Sequence, residues 1–301
     1  MGGRGHRLTL AGAISYLGAM SLAVSPRLSA VLLAVLVFLT SSASAGTSPE
    51  EVKAFEGYKA LASKGDKVAQ FFIGLCYLTG TGVVKNEFES VSWYRKAAEQ
   101  GYAPAQFGLG YNYSNGLGVE PDQAEAASWY RKAAEQGFEE AQYNLGFLYS
   151  NGFGVEKDLV QAASWYRKAA ELGFAKAQLK LGVLYYNGLG VPKDFVQAAS
   201  WHRKAAEQGN AEAQYNLGLS YAKGEGVPKD EIEAYAYWNL AGITNEEARK
   251  FLGLLENTMS QDARLLGQQR TRQLQKEIEG RLENLEDLRK SVEREKLRKG
   301  S

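Results

Sequence analysis

The sequence predicts an all-α protein, an α/α superhelical solenoid of five 36-residue helix-turn-helix repeats with helical caps. Three observations carry this reading. Ala69-Gln70 recurs at Ala105, Ala141, Ala177 and Ala213, each followed by Gln, with no insertion or deletion between copies. The same shift superimposes Gly80 and Gly82 on Gly116/Gly118, Gly152/Gly154, Gly188/Gly190 and Gly224/Gly226. A decapeptide, SWYRKAAEQG, stands at residues 92–101, returns unchanged at 128–137, and returns with one change at 164–173 and at 200–209. A fixed period of this length marks a repeat array, because one helical hairpin cannot cover its own apolar face and must stack on a neighbour.

Residues 1–45 read as a signal peptide. Leu28 to Thr40 is an apolar run preceded by Arg27 and followed by Ala43-Ser44-Ala45, a small-x-small signature that places cleavage after Ala45. The run is short for a span, which needs roughly 20 residues. A second apolar stretch, Leu8 to Val24, leaves two alternatives: initiation at Met20, or an uncleaved inner-membrane anchor. A periplasmic or secreted location is the expectation.

Residues 46–65 read as an N-terminal capping half-repeat, since Tyr58, Ala62 and Gly65 share register with Tyr94, Ala98 and Gly101. Leu61 departs from that register, where Ala97 stands. Residues 66–244 hold the five repeats. In the first helix of each, about Val68 to Thr79 in unit one, Ala69, Ile73 and Tyr77 form an apolar stripe and Gly74 lets a neighbouring backbone close.

The second helix opens on Asn86, Asp122, Asp158, Asp194 or Asp230, with Glu or Gln three residues on, a capping-box pattern. It ends at Gly101, Gly137, Gly173 or Gly209, where a left-handed residue is expected. Within it Ser90, Trp93, Tyr94 and Ala97 face inward. Ser92, Arg95, Lys96, Glu99 and Gln100 face out, so Glu99 and its copies can balance the Arg-Lys ladder.

Residues 245–301 read as a C-terminal capping helix and a charged helical tail. Ile278, Leu282, Leu285, Leu288 and Val292 form a partial heptad seam, which leaves dimerisation and oligomeric state open.

Composition narrows the function classes. The net charge is +1, and all 34 acidic residues follow residue 45 while three arginines precede it, so the body is slightly acidic and no nucleic-acid partner is expected. Cys76 is the only cysteine, so the chain has no internal disulfide and no thiolate metal cluster. His202, the only histidine after residue 45, occupies the place of Tyr94, Tyr130 and Tyr166 and reads as a core residue. The Gly-x-Gly pairs join two helices, not a strand and a helix, so they are structural glycines. No cofactor or metal is expected.

With these residues in view, unit two, AQFGLGYNYSNGLGVEPDQAEAASWYRKAAEQG, resembles the Sel-one-like repeat (SLR), a relative of the tetratricopeptide repeat with a slightly longer period. The resemblance covers about residues 53–244, and unit five departs from it because Trp238 sits one residue late. It implies an α/α superhelix that serves as a protein-binding scaffold, often secreted or periplasmic in bacteria. Members act as adaptors, envelope-signalling regulators or host-interaction proteins.

Cysteine-rich relatives have been assigned β-lactamase or penicillin-binding activity. Ser220-Tyr221-Ala222-Lys223 fits S-x-x-K, yet no K-T-G or S-D-N follows and no cysteine pairs exist. The expected function is a non-catalytic, exported protein-interaction scaffold with a regulatory role in the envelope. Such a hydrolase, or a cell-wall or glycan-binding module, is the alternative. Positions that differ between units point to the partner surface. In tetratricopeptide-like solenoids the first helices line the concave face, which selects Phe72, Asn112, Asn115, Asn144, Leu148, Asn151, Lys180, Leu184, Asn187 and Asn216.

Overall fold

The computed structural model describes residues 48–299, so the signal-peptide reading of residues 1–45 lies outside the described residues. Thirteen α-helices make up the secondary structure among the described residues: α1 (Pro49–Ala62), α2 (Lys67–Thr79), α3 (Glu87–Glu99), α4 (Ala103–Asn115), α5 (Gln123–Glu135), α6 (Glu139–Asn151), α7 (Leu159–Glu171), α8 (Ala175–Asn187), α9 (Phe195–Ala206), α10 (Ala211–Lys223), α11 (Glu231–Ala241), α12 (Glu246–Glu256) and α13 (Gln261–Lys299). No helix among the described residues is long and apolar enough to cross a membrane. The fold class is the all-α helical solenoid of 36-residue repeats. Described residues 48–121 with 285–299 form one compact unit, and Asp122–Asn284 forms the other.

The second helices start where the sequence places them. Asn86, Asp122, Asp158, Asp194 and Asp230 hold extended backbone, and each side chain accepts from the amide of the third helical residue. Each such cap is worth about 1 kcal/mol. The reciprocal half of the capping box has another occupant. The cap amides of Asn86, Asp158, Asp194 and Asp230 donate to the carbonyls of Tyr77, Tyr149, Tyr185 and Tyr221, so the Glu or Gln three residues on has no donor to meet. The full box closes at Ser48 and Glu51, at the start of α1.

The two glycines of each Gly-x-Gly turn do different work. Gly80, Gly116, Gly152, Gly188 and Gly224 end the first helices with left-handed backbone. The second glycine also has positive φ, and it lies on the first residue of the preceding second helix: a Cβ on Gly154 would overlap the Gln123 carbonyl, and one on Gly190 would overlap Leu159. That contact sets the distance between successive repeats.

In the N-terminal unit α1 packs on α2 through Phe55, Ala62, Ala69, Ile73 and Cys76, with Tyr58 stacked on Phe72. Leu61 is half exposed where Ala97 is fully buried. In Asp122–Asn284, Leu145, Leu181 and Leu217 are fully buried, each contributing roughly 2–3 kcal/mol.

Glycine within the first helix admits a ring as well as a backbone. A Cβ on Gly146 would lie 2.9 Å from the Tyr166 ring, and Gly182 meets His202 in the same way. The last repeat exchanges its aromatics. Tyr237 takes the tryptophan position, and Trp238 fills the tyrosine slot against Gly218, donating Nε1–H to the Tyr215 carbonyl at 3.1 Å. Helix α12 covers it with Phe251 and Ala248.

Candidate protein-binding surface

The first helices are tied down along one side. Each repeat's glutamine is buried and donates to a carbonyl at the end of the preceding second helix: Gln70 to Ala62, Gln106 to Ala98, Gln142 to Ala134, Gln178 to Ala170 and Gln214 to Ala206. A second amide can close the pair, as Gln100 donates to Gln70 Oε1 at 2.7 Å and Gln208 to Gln178 Oε1 at 2.8 Å. Position 172 is Leu, and Gln142 Oε1 stays buried without a partner.

The outer face of the second helices is engaged differently from the sequence expectation. Arg95, Arg131, Arg167 and Arg203 donate Nη2–H to the hydroxyls of Tyr113, Tyr149, Tyr185 and Tyr221 on the following first helix, at 2.7–2.9 Å. Lys96, Lys132, Lys168 and Lys204 place Nζ 3.7–3.8 Å from the ring centroids of Trp93, Trp129, Trp165 and Trp201. The expected balance by Glu99, Glu135 and Glu171 does not form: among the described residues these glutamates make no ion pair. An Arg four residues before a Glu is the weaker orientation on a helix, and a phenol on the next helix competes for the guanidinium. The tyrosines of the cassette are buried as expected. Trp165 and Trp201 are buried and Trp93 and Trp129 half-buried, their indoles shielded by lysine.

The ten residues selected for the partner surface divide into three sets. Asn115, Asn151 and Asn187 are exposed at the last turn of their helices, each Nδ2 donating to the carbonyl four residues back. Asn144, Lys180 and Asn216 are half-buried beside them. Phe72, Asn112, Leu148 and Leu184 are buried, Asn112 completely, with its Nδ2 on the Leu117 carbonyl. Leu184 packs among Ala162, Ala163, Tyr166 and Trp201, between two second helices. The middle column of the strip therefore points into the core.

The column that reaches solvent lies one residue earlier: Tyr111, Phe147, Val183 and Leu219, with Phe147 41% exposed and in edge contact with Phe153. Sequence reasoning missed this column because both columns vary between units. The usable signal is that this one stays apolar, whereas the buried one runs through Cys, Asn, Leu and Ser.

The S-x-x-K tetrad is occupied by structure. Ser220 is buried, while Lys223 Nζ donates to the Tyr186 hydroxyl at 3.2 Å and pairs with Glu225 at 3.8 Å. The Tyr186 bond raises the Lys223 pKa, the opposite of what a general base requires. His202 is buried with neither ring nitrogen partnered, and desolvation lowers its pKa to about 4. The Cys76 thiol is buried and pushed up to about 12, chiefly by desolvation.

The family model of the Sel1 repeat matches residues 67–102, 103–138, 139–174, 175–210 and 211–242, well over half of the chain. The chain is a Sel1-repeat protein. It is 39% identical to a Sel1-repeat protein from Oxalobacter formigenes of known crystal structure, with a TM-score of 0.60, over 65% of this chain and 83% of that one. It is 32% identical to c5321, a protective antigen with an SLR fold from uropathogenic Escherichia coli strains, with a TM-score of 0.51, over 78% of this chain and 59% of that one. The Sel1-repeat chain thus spans less than two thirds of the antigen's length. No curated protein sequence matches it. The Sel1-repeat solenoid has the architecture of a protein–protein interaction scaffold.

Proposed function

We propose that this Sel1-repeat protein is an exported, non-catalytic scaffold with a regulatory role in the cell envelope, and that it binds another protein through the open strip of its first helices. The observation that carries the reading is the strip Asn144, Phe147, Asn151, Lys180, Val183, Asn187 and Asn216, which is open or half-open to solvent, with Asn144 and Phe147 replaced by Lys180 and Val183 one repeat on while Asn151 recurs as Asn187. Its neighbours on the same helices are held by the Ala-Gln pair and by buried leucine. Exposed aromatic and aliphatic side chains among amides suit a protein partner, because such mixed patches supply both burial and orientation. The apolar N-terminal run and the kinship with a protective antigen support export.

The double variant Phe147→Glu, Lys180→Glu tests the strip. Crosslinking in the native envelope followed by mass spectrometry should recover a partner with the parent and lose it with the variant, at unchanged helical circular dichroism. Recovery of the same partner with both chains would sink the strip reading. The mass of the mature protein tests cleavage after Ala45 separately.

A further inference from the structure

We propose that the outer surface built by α7, α8 and α9 is a second docking site, for an amphipathic helix of a partner protein that carries two apolar residues four apart and an arginine three residues beyond the second. The chain supplies the template in its own α13, which lies against the corresponding surface one repeat later. There Leu274 is buried in one cluster with Tyr237, Ile278 reaches to 4.0 Å from a Cβ placed on Gly209, and Arg281 pairs with Glu207.

Thirty-six residues earlier the same positions recur, with Trp201 for Tyr237, Gly173 for Gly209 and Glu171 for Glu207. They are open. Nothing lies within 4 Å of a Cβ on Gly173, and Glu171 is exposed with no ion pair among the described residues.

Position 172 adds an independent sign. The equivalent residues Gln100, Gln136 and Gln208 are amides, and Gln208 is half-buried in the α13 region. Leu172 instead leaves Gln142 Oε1 buried without a donor and presents an aliphatic side chain that is 55% exposed. Both consequences oppose stability. An apolar contact over Leu172 and Gly173, with an arginine on Glu171, turns the exchange into a binding feature. The site is continuous with the α13 interface and complementary to it in charge, and it lies on the second-helix face, away from the first-helix strip.

The probe is a lactam-stapled, fluorescent peptide copying Gly267–Leu282, titrated by anisotropy onto the full chain. Saturable binding is expected, weakened about tenfold or more by Glu171→Arg and by Leu172→Gln and unaffected by Glu207→Arg. A peptide carrying Arg281→Glu should regain affinity for the Glu171→Arg chain. The proposal is overturned by no binding, by binding indifferent to residues 171 and 172, or by binding that follows Glu207, which would mean exchange at the seat of α13. Sedimentation of the parent alone completes the test. A dimer dissolved by Glu171→Arg would make the occupant a second copy and overturn the assignment to a foreign partner.

Discussion

Within Asp122–Asn284 the arginine and lysine of each repeated second-helix cassette have a structural task, whereas the first helices leave a column of side chains to solvent. In α7, Arg167 holds Tyr185 of the next helix and Lys168 covers Trp165. Tyr166 meanwhile fills the space above Gly146. In α6, Asn144, Phe147 and Asn151 carry no tie to the next repeat in the hydrogen bonds of the fold. The difference separates two reasons for sequence behaviour. Near-identity of the decapeptide reflects a stacking interface that must be made the same way each time, and variation in the first-helix column reflects freedom from it.

The largest expected effect comes from breaking the uniform region at its spacing device. Gly154→Ala forces a methyl group into the Gln123 carbonyl at a left-handed residue, so backbone must shift. Gly137→Ala also meets a positive φ, but open space surrounds it. Denaturant unfolding should show a loss of about 3 kcal/mol or more for the first, from strain and separated repeats. About 1 kcal/mol is expected for the second. Equal losses would mean that the second glycine of the turn serves conformation alone.

The next test restores an exception. His202 interrupts the tyrosine column of the second helices, and burial holds its pKa near 4, below the ordinary value of 6.5. A depressed histidine pKa means the unfolded chain binds the extra proton first. The stability present above pH 6.5 is therefore lost as pH falls towards 4, by about 3 kcal/mol for a shift of this size. His202→Tyr should remove that slope. Glu140 contributes the opposite one, since desolvation lifts its carboxyl to about 7 and stability falls as pH rises from 4.5 through 7. Unfolding midpoints of parent and variant at pH 7.5 and pH 4.5 isolate the histidine, because Glu140 is common to both. A midpoint difference that does not depend on pH would show that His202 titrates normally.

The caps, the left-handed glycines and the Ala-Gln pairs are legible in the sequence because each is a local device. A cap needs a short oxygen-bearing side chain, a left-handed residue needs glycine, and a close helix contact needs alanine. The exchange of Tyr237 and Trp238 is visible as a shifted tryptophan, although its cause, the cover of Tyr237 by α13, is not. The candidate surface is less legible. Leu148 and Leu184 belong to a buried column that reads Cys76, Asn112 and Ser220 in the other repeats, and Phe147 and Val183 to a column that solvent reaches. A single chain shows both as variation. The arginine ties are hidden for a related reason: the nearest opposite charge in sequence is four residues away, but the partner chosen is a phenol eighteen residues away.

The smallest expected effect restores the other exception. Leu172→Gln supplies a donor where Gln142 Oε1 has none, in the geometry that Gln100 and Gln208 already adopt at 2.7 and 2.8 Å. One satisfied buried acceptor is worth about 1 kcal/mol, or roughly 2–4 °C in a structure of this size. It also removes an exposed leucine, so nothing packed is lost. Thermal unfolding by circular dichroism should place the variant above the parent. The same change in the double variant with Gln142→Leu should give no gain, because the acceptor has gone. A gain that survives Gln142→Leu would assign it to the surface leucine and not to the amide pair.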